Sequence, residues 1–381
     1  MSKYKYGIVI PSHNGYEGLK LTIPYMLEIN RKDFEIVVSI NGSTDKSKDF
    51  LKSISDERLK VYVHTKKIPH STNLNFAYSK STADWVGHLG DDDVILKKRF
   101  DYLDKFSDKY DIILGKCATY VWENVLPHQG EPNTTDNKSL IYEFITKEKK
   151  GKDFYKEYLN NFGVPAGGQW LVKRSIYSEV VKHYGYFSPD AANVEFFSFR
   201  ASAKFSENII EVDYPLMIAG RMAKSSSAVI ENPNAKIWDY NFENPGWFDC
   251  AKVNCSNYQT ISFDGALRVI KKFPQDKKLL NKNYWAKSFV GHFLFWHPGS
   301  NKFNQKCSKI VYLLWIIRNF HIYAFYECLI AIKKKIFKIF FKKKETYPFQ
   351  NQTVFLKNIG IQKITQFADY LEKNLENKKK Y

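Results

Sequence analysis

Apolar residues in the first 115 positions come in short runs separated by polar turns. Tyr6–Pro11, Phe34–Ile40, Leu59–His64 and Trp85–Leu89 are rich in Val, Ile and aromatic side chains and read as strands. Between them, Gly18–Asn30, Asp45–Ser53 and Ser71–Ser81 have helical spacing, with Ser43 or Thr44 near the cap of the second helix. Strands alternating with helices imply βαβ units and a mostly parallel sheet flanked by helices on both faces. Ligands of such sheets gather beyond the carboxyl ends of the strands. Ser12-His13-Asn14 follows the first strand, Asn41-Gly42-Ser43 the second and Asp91-Asp92-Asp93 the fourth. Three loops distant in sequence are therefore expected to meet at one edge.

The pattern beyond is mixed. Pro127–Lys138 reads as a polar loop, Lys147–Asn161 as a basic helix and Gly163–Trp170 as a loop. Ser175–Tyr184 reads as a helix, Ser188-Pro189-Asp190 as a turn, and Val212–Ile218 as a strand broken by Pro215. The expected units are an α/β domain over 1–225, an extension over 226–300 packing on it, and a basic, aromatic-rich, mainly helical C-terminal region over 301–381.

With 44% apolar and 26% charged residues in 381 positions, a buried core is possible and wholesale disorder is not expected. The net charge is +18, and Lys302–Lys344 alone holds eleven Lys or Arg against one Glu. Its Lys334, Lys338 and Lys342 share a helical stripe opposite Ile332, Ile336, Ile339 and Phe340, although Phe341 and Lys343 interrupt the separation. Such a helix can lie on an anionic membrane surface; the alternative is a hairpin packed on the domain over 1–225. The most apolar stretch, Ile310–Ile332, carries Arg318 and Glu327, which disfavours a spanning helix. The N-terminus reads as a first strand, not a signal peptide. The five cysteines form no C-x-x-C pair, so a reducing compartment fits best and neither a disulfide framework nor a zinc ribbon is indicated. Zinc-enzyme histidine spacing, G-x-S-x-G and the P-loop are all missing from the sequence.

Three adjacent carboxylates repel one another unless a cation or hydrogen-bond donors compensate. At a strand end they suit Mg²⁺ or Mn²⁺, which take one or two carboxylates plus phosphate oxygens. The alternative is a solvated acidic turn capping the next helix.

The segments YGIVIPSHN, EIVVSINGSTDKS, NLNFAYSKSTADWVGHLGDDDVIL and GYFSPDAANVEFFSFRASAKFSENIIEVDYPLMIAG stand in order over about residues 4–225. Together they resemble the inverting GT-A glycosyltransferases of family 2. The resemblance implies a Rossmann-like GT-A fold and sugar transfer, of hexosyltransferase type, from a nucleotide-diphosphate sugar to an acceptor hydroxyl. It places Pro11, Ser12, His13 and Asn14 beside the base and ribose. Ile40 stands where an acid is common in the family, leaving Asn41 as the polar side chain of the second loop. Asn75 matches the family's nucleotide-contacting Asn, with Leu74 and Ala77 in place of its Arg and Gly; tying its helix to the adjacent strand is the other reading. Asp92 becomes the expected direct metal ligand, with Asp91 and Asp93 holding ribose, sugar or metal-bound water.

The base must come from a different part of the chain, because it acts on the opposite face of the anomeric carbon. Asp190 is the expected base and Glu195 the second choice; the alternatives are a helix cap and an exposed helical acid. Trp170 either stacks on a sugar ring or belongs to the core. Gly220-Arg221 and Lys224 either neutralise a diphosphate or form a basic turn. The expected acceptor is a glycan or lipid-linked glycan of bacterial surface polysaccharide synthesis, with the protein cytoplasmic and peripheral at the inner membrane face. Nucleic acid is not the expected partner, as no base-reading module is recognisable. A non-catalytic nucleotide-sugar or nucleic-acid binding protein of the same fold, and a nucleotidyltransferase, are the alternatives.

Overall fold

The computed structural model describes residues 3–125, 131–189, 195–222, 250, 258–294, 312–320, 323, 326, 327, 329, 330 and 353–378. The four expected N-terminal strands are present as β1 Tyr6–Ser12, β2 Phe34–Asn41, β3 Leu59–His64 and β4 Trp85–His88. They pair in parallel in the order β4-β1-β2-β3. Side chains alternate across this sheet: Ile8, Ile10, Ile36 and Val38 enter one core, Val9 and Val37 the other. That is the period-two consequence of a sheet buried on both faces.

The helices α1 Tyr16–Leu27, α2 Ser47–Ser53 and α3 His70–Lys80 connect these strands, and α4 Arg99–Leu103 comes after β4 in the chain. Asp45 links the first two. Its Oδ2 accepts the Tyr16 amide at 2.9 Å and its Oδ1 the Ser47 amide at 3.1 Å. The first helix can thus begin two residues before the expected Gly18, since a first-turn N–H is satisfied from outside.

The second half of the sheet comprises β5 Val94–Ile95, β6 Ile112–Val121, β7 Thr134–Asp136, β8 Thr146–Lys150, β9 Trp170–Lys173 and β10 Asn208–Arg221. Here the parallel expectation needs correction. β9 runs antiparallel between β4 and β6, and β5 and β8 run antiparallel to β10. The sheet is therefore mixed. Lys147–Asn161 is also only partly helical. Thr146–Lys150 is a strand on β10, and α5 Gly151–Leu159 follows. Gly151 permits the change, as a Cβ there would lie 1.6 Å from the Ser206 carbonyl oxygen.

The face lined by α3, α5, α6 Arg174–Tyr184 and α7 Glu195–Phe205 also packs the helices Tyr258–Lys272 and Lys282–Leu294 and the helical residues 312–320. Arg200 of α7 joins these layers. Its buried guanidinium donates to the carbonyls of Phe196 (2.6 Å), Tyr158 (2.7 Å) and Asn161 (2.6 Å) and to Ser262 Oγ (2.7 Å). Burial pushes its pKa down to about 9, so it is still charged at pH 7. Arg200→Leu would strand three carbonyls and is expected to cost at least about 3 kcal/mol. A lower urea midpoint at unchanged m-value would register that loss.

The opposite face holds α1 and a C-terminal helix, Ile364–Lys378. β11 Thr353–Phe355 adds antiparallel to β7, and Leu356, Ile361, Ile364, Phe367 and Leu371 enter the same core as α1. Tyr25 Oη donates to Asp369 Oδ1 (2.9 Å), and the Lys98 amide donates to Glu372 Oε1 (2.7 Å). The expected boundary at 225 is corrected accordingly: residues 353–378 complete the sheet and core of the N-terminal unit. The Lys334–Lys342 stripe lies outside the described residues. Among the described residues no helix is long and apolar enough to cross a membrane.

Candidate active site

The first and second loops meet through a set of short bonds. Asn14, with a left-handed φ of 55°, accepts the Thr44 amide on Oδ1 at 2.8 Å, while its own amide donates to Ser43 Oγ at 2.9 Å. His13 Nδ1 lies 2.7 Å from the Asn41 carbonyl oxygen. A carbonyl only accepts, so Nδ1 carries the proton. Gly42, φ 58°, turns the second loop, where a Cβ would lie 2.5 Å from the Lys67 amide nitrogen. Pro11, one residue before the end of β1, is in register with Ser39.

The third loop joins them. Ser12 Oγ donates to Asp91 Oδ2 at 2.6 Å. Gly18 lets α1 lie on the Asp91 backbone, whose oxygen would be 2.2 Å from a Cβ at that position. The expected convergence of the three loops is thus present.

The triplet divides its labour. Asp93 accepts the Gly90 amide on Oδ2 (2.8 Å) and the Gly220 amide on Oδ1 (2.9 Å), tying the turn to the end of β10. Asp91 serves Ser12, and Asp92 is 8% exposed. Asp91 and Asp93, expected on ribose, sugar or metal-bound water, are thus held by donors of the protein itself. Among the described residues, no group of three His, Cys, Asp or Glu could hold an ion. A smaller donor set does fit a hard cation. Asp92 Oδ1 and Asp93 Oδ2 both flank Gly90, at 2.9 and 3.1 Å from where its Cβ would stand, and two carboxylates are what Mg²⁺ or Mn²⁺ takes from protein.

Burial, with the neighbouring Asp91 charge adding, pushes the Asp93 carboxyl up to about 6 against its two amide bonds. Its unfolded value is about 3.9, so the folded chain holds this proton more tightly. The group's contribution to stability is greatest below about pH 4 and is lost as the pH rises through 6. In chelator-treated protein, the Tm difference between wild type and Asp93→Asn should change across pH 4–6 and flatten above pH 7.

Several expected contacts take other places. Asn41 uses both ends of its amide on Ile68, donating to its carbonyl and accepting its amide at 2.8 Å each. It fixes the second loop instead of reaching a base. Asn73, which the sequence did not single out, binds Ser39 on β2: its Oδ1 accepts Ser39 Oγ at 2.6 Å. Asn75 accepts the amides of Phe187 (3.1 Å) and Ser188 (2.8 Å) and donates to the Ser188 carbonyl (2.7 Å). It anchors the loop leading to Asp190, not a nucleotide. Trp170 is corrected to core: it is 1% exposed, against Phe187 and Phe199, with no ring face open to a sugar. Gly220 is the amide partner of Asp93, and a Cβ there would meet the Asp92 carbonyl oxygen at 2.0 Å. Asp190 and Lys224 lie outside the described residues.

Glu195 begins α7 and turns inward. Its Oε1 lies 3.2 Å from Nε2 of His88, the last residue of β4. Burial raises the Glu195 pKa, but the His88 bond and charge outweigh it, and the net shift is downward. His88 Nδ1 is 2.9 Å from Tyr78 Oη. In the sequence His88 reads only as a strand interior; its place three residues before the triplet was the available signal. The Gly167–Gln169 turn lies against this pair, with Gly167 facing the His88 ring. An open cleft of about 740 Å³ reaches Gln169 and is also lined by Tyr158, Asn161, Lys116, Lys147 and Glu143.

Residues 7–181 match the family model described as Glycosyl transferase family 2. An uncharacterized glycosyltransferase of Rickettsia bellii is 23% identical over 114 residues, 30% of this chain and 16% of that protein. The GalNAc(5)-diNAcBac-PP-undecaprenol beta-1,3-glucosyltransferase of Campylobacter jejuni is 27% identical over 118 residues, 30% and 38% of the two chains. The chain thus spans well under half the length of the curated relatives it matches. Among solved structures, S. aureus TarS 1–349 with UDP-GlcNAc superposes with a TM-score of 0.49 at 13% identity, over 83% of this chain and 91% of that one. The matched segment, a little under half of the chain, contains β1 to β4, their three converging loops and the Asp triplet: over residues 7–181 this chain is similar to glycosyltransferase family 2.

Proposed function

We propose that this protein is an inverting, metal-dependent glycosyltransferase, moving a hexose from a nucleotide-diphosphate sugar to a hydroxyl of a glycan or lipid-linked glycan. The observation that carries the reading is the 2.6 Å Ser12–Asp91 bond. It closes the first loop onto the triplet beyond the carboxyl ends of β1 and β4, where a donor's phosphates belong. Pro11, Ser12, His13 and Asn14 form the wall for base and ribose. Asp92, with Asp93, would hold the cation, which supplies charge neutralisation at the leaving diphosphate.

The acceptor oxygen bonds to the anomeric carbon as the bond to the diphosphate breaks, and a carboxylate on the opposite face takes the acceptor proton. One displacement inverts the centre. We assign that base to Glu195, supported by its inward, ionised carboxylate beside the end of β4; Asp190, expected from the resemblance, is the rival. The cleft reaching Gln169 offers amides, charges and the Tyr158 ring to a polar acceptor. The Campylobacter relative is named for an undecaprenol-linked substrate, which supports a lipid-linked acceptor here.

Leu314 (59% exposed) and Ile317 (48%), ahead of the basic stretch 333–344, support peripheral attachment to an anionic membrane at the cytoplasmic face. Changing both to Asp should weaken binding to anionic vesicles at least about tenfold, measured by cosedimentation.

The deciding experiment offers UDP-, GDP- and dTDP-sugars with Mn²⁺, with and without lipid-linked acceptor. Release of nucleoside diphosphate is expected, and Asp92→Asn should abolish cation-dependent turnover. Pyrophosphate release would instead identify a nucleotidyltransferase; binding with no product would identify a non-catalytic relative.

A further inference from the structure

His88 is 7% exposed and in contact on several sides. Tyr78 Oη meets Nδ1 at 2.9 Å, Glu195 Oε1 meets Nε2 at 3.2 Å, and a Cβ on Gly167 would come within 2.0 Å of Nε2. The two partners decide what each ring nitrogen does. An ionised carboxylate only accepts, so Nε2 must donate to Glu195. Tyr78 Oη is the partner of the other nitrogen, Nδ1. Burial raises the Tyr78 hydroxyl pKa well above the ordinary 10, so the phenol keeps its proton and either donates to a bare Nδ1 or accepts from an Nδ1–H. The opposite tautomer would set the Nε2 lone pair against the carboxylate.

We infer that Tyr78 and His88 form a positioning relay that fixes His88 as an Nε2–H donor and aims the Glu195 carboxylate at the acceptor. The inference rests on the reading of Glu195 as base. It gives β4 two tasks. The loop after it carries the cation-side carboxylates, and its last residue orients the group that acts on the opposite side of the sugar. One rigid strand would thereby set the spacing between the two halves of the chemistry. The charged and titratable groups acting on the relay are His70 at the start of α3, Asp93 of the triplet, and Arg174 and Tyr177 of α6.

The test compares His88→Leu, His88→Gln, Tyr78→Phe and Glu195→Gln in the full chain, each checked by thermal melting. The readouts are kcat, donor KM and the pH profile of kcat/KM. His88→Leu should lower kcat at least about tenfold with donor KM unchanged. Losing the donor raises the Glu195 pKa, so the acidic limb should move to higher pH. His88→Gln restores an N–H donor and should recover most of kcat. Tyr78→Phe should move kcat and the limb in the same direction as His88→Leu, by less. A folded His88→Leu with wild-type kcat and limb overturns the relay, as does a His88→Gln no better than His88→Leu. Should His88→Leu not fold, an unchanged limb in Tyr78→Phe overturns it. Full activity in Glu195→Gln defeats the base reading, and the relay with it; an inactive Glu195→Gln beside a wild-type His88→Leu defeats the relay alone.

Discussion

Glu195→Gln is expected to lower kcat by about 10²–10⁴-fold while donor affinity changes less than about threefold. The amide is nearly the same shape as the carboxylate, and its oxygen can still accept from His88 Nε2. Packing at the start of α7 should therefore survive. What disappears is the ability to take a proton from the acceptor. Donor affinity is the control because the loops assigned to the nucleotide, Ser12–Asn14 and the triplet, belong to other elements. Asp190→Asn is the paired measurement. If Asp190→Asn loses turnover and Glu195→Gln does not, the base lies in the 188–190 turn and Glu195 is only a structural partner of His88. Turnover by nucleoside diphosphate release and binding by calorimetry separate the outcomes.

Removing residues 353–381 should leave a chain unable to hold its catalytic fold. The segment buries Leu356, Ile361, Ile364, Phe367, Leu371 and Leu375. At about 1.5–3 kcal/mol for each large apolar side chain, their loss amounts to about 9–18 kcal/mol as an upper estimate. The whole stability of a typical domain is about 5–15 kcal/mol. The truncated protein should be recovered insoluble or without a cooperative urea transition. A soluble, cooperatively folding product would contradict the packing of the terminal helix on α1. It also follows that deleting everything after residue 301 cannot test membrane attachment, since it removes core and basic stretch together. The paired substitutions at Leu314 and Ile317 avoid that confusion.

The parallel half of the sheet was legible because its signals are local. Runs such as Gly7–Pro11 and Phe34–Ile40 announce strands, and the loops after them carry the polar residues that meet. Thr146–Lys150 was not legible: Thr, Lys and Glu give no apolar alternation, and the strand exists because β10 offers it a ladder. The partnership of Thr353–Phe355 with Thr134–Asp136 spans more than 200 residues, and nothing local in either segment specifies the other. At the site, residue types were easier to read than their employment. Asn41 and Asn75 are polar residues at the expected edge, yet their amides are occupied by Ile68 and by Phe187 and Ser188. Trp170 could stack or pack, and Phe187 and Phe199 decide which. His88 was hidden because a histidine inside an apolar run looks like strand filler until its two neighbours are seen.

The closing strand and helix also bear on how the protein is made. Synthesis proceeds from the N-terminus, and domains generally fold as units during it. Here the first layer cannot close until residues 353–378 have left the ribosome, although its first strand emerges some 340 residues earlier. During that interval the nascent chain presents the uncovered flank of α1, and later that of β10, to the cell, making it a natural client for chaperones that shield apolar surface.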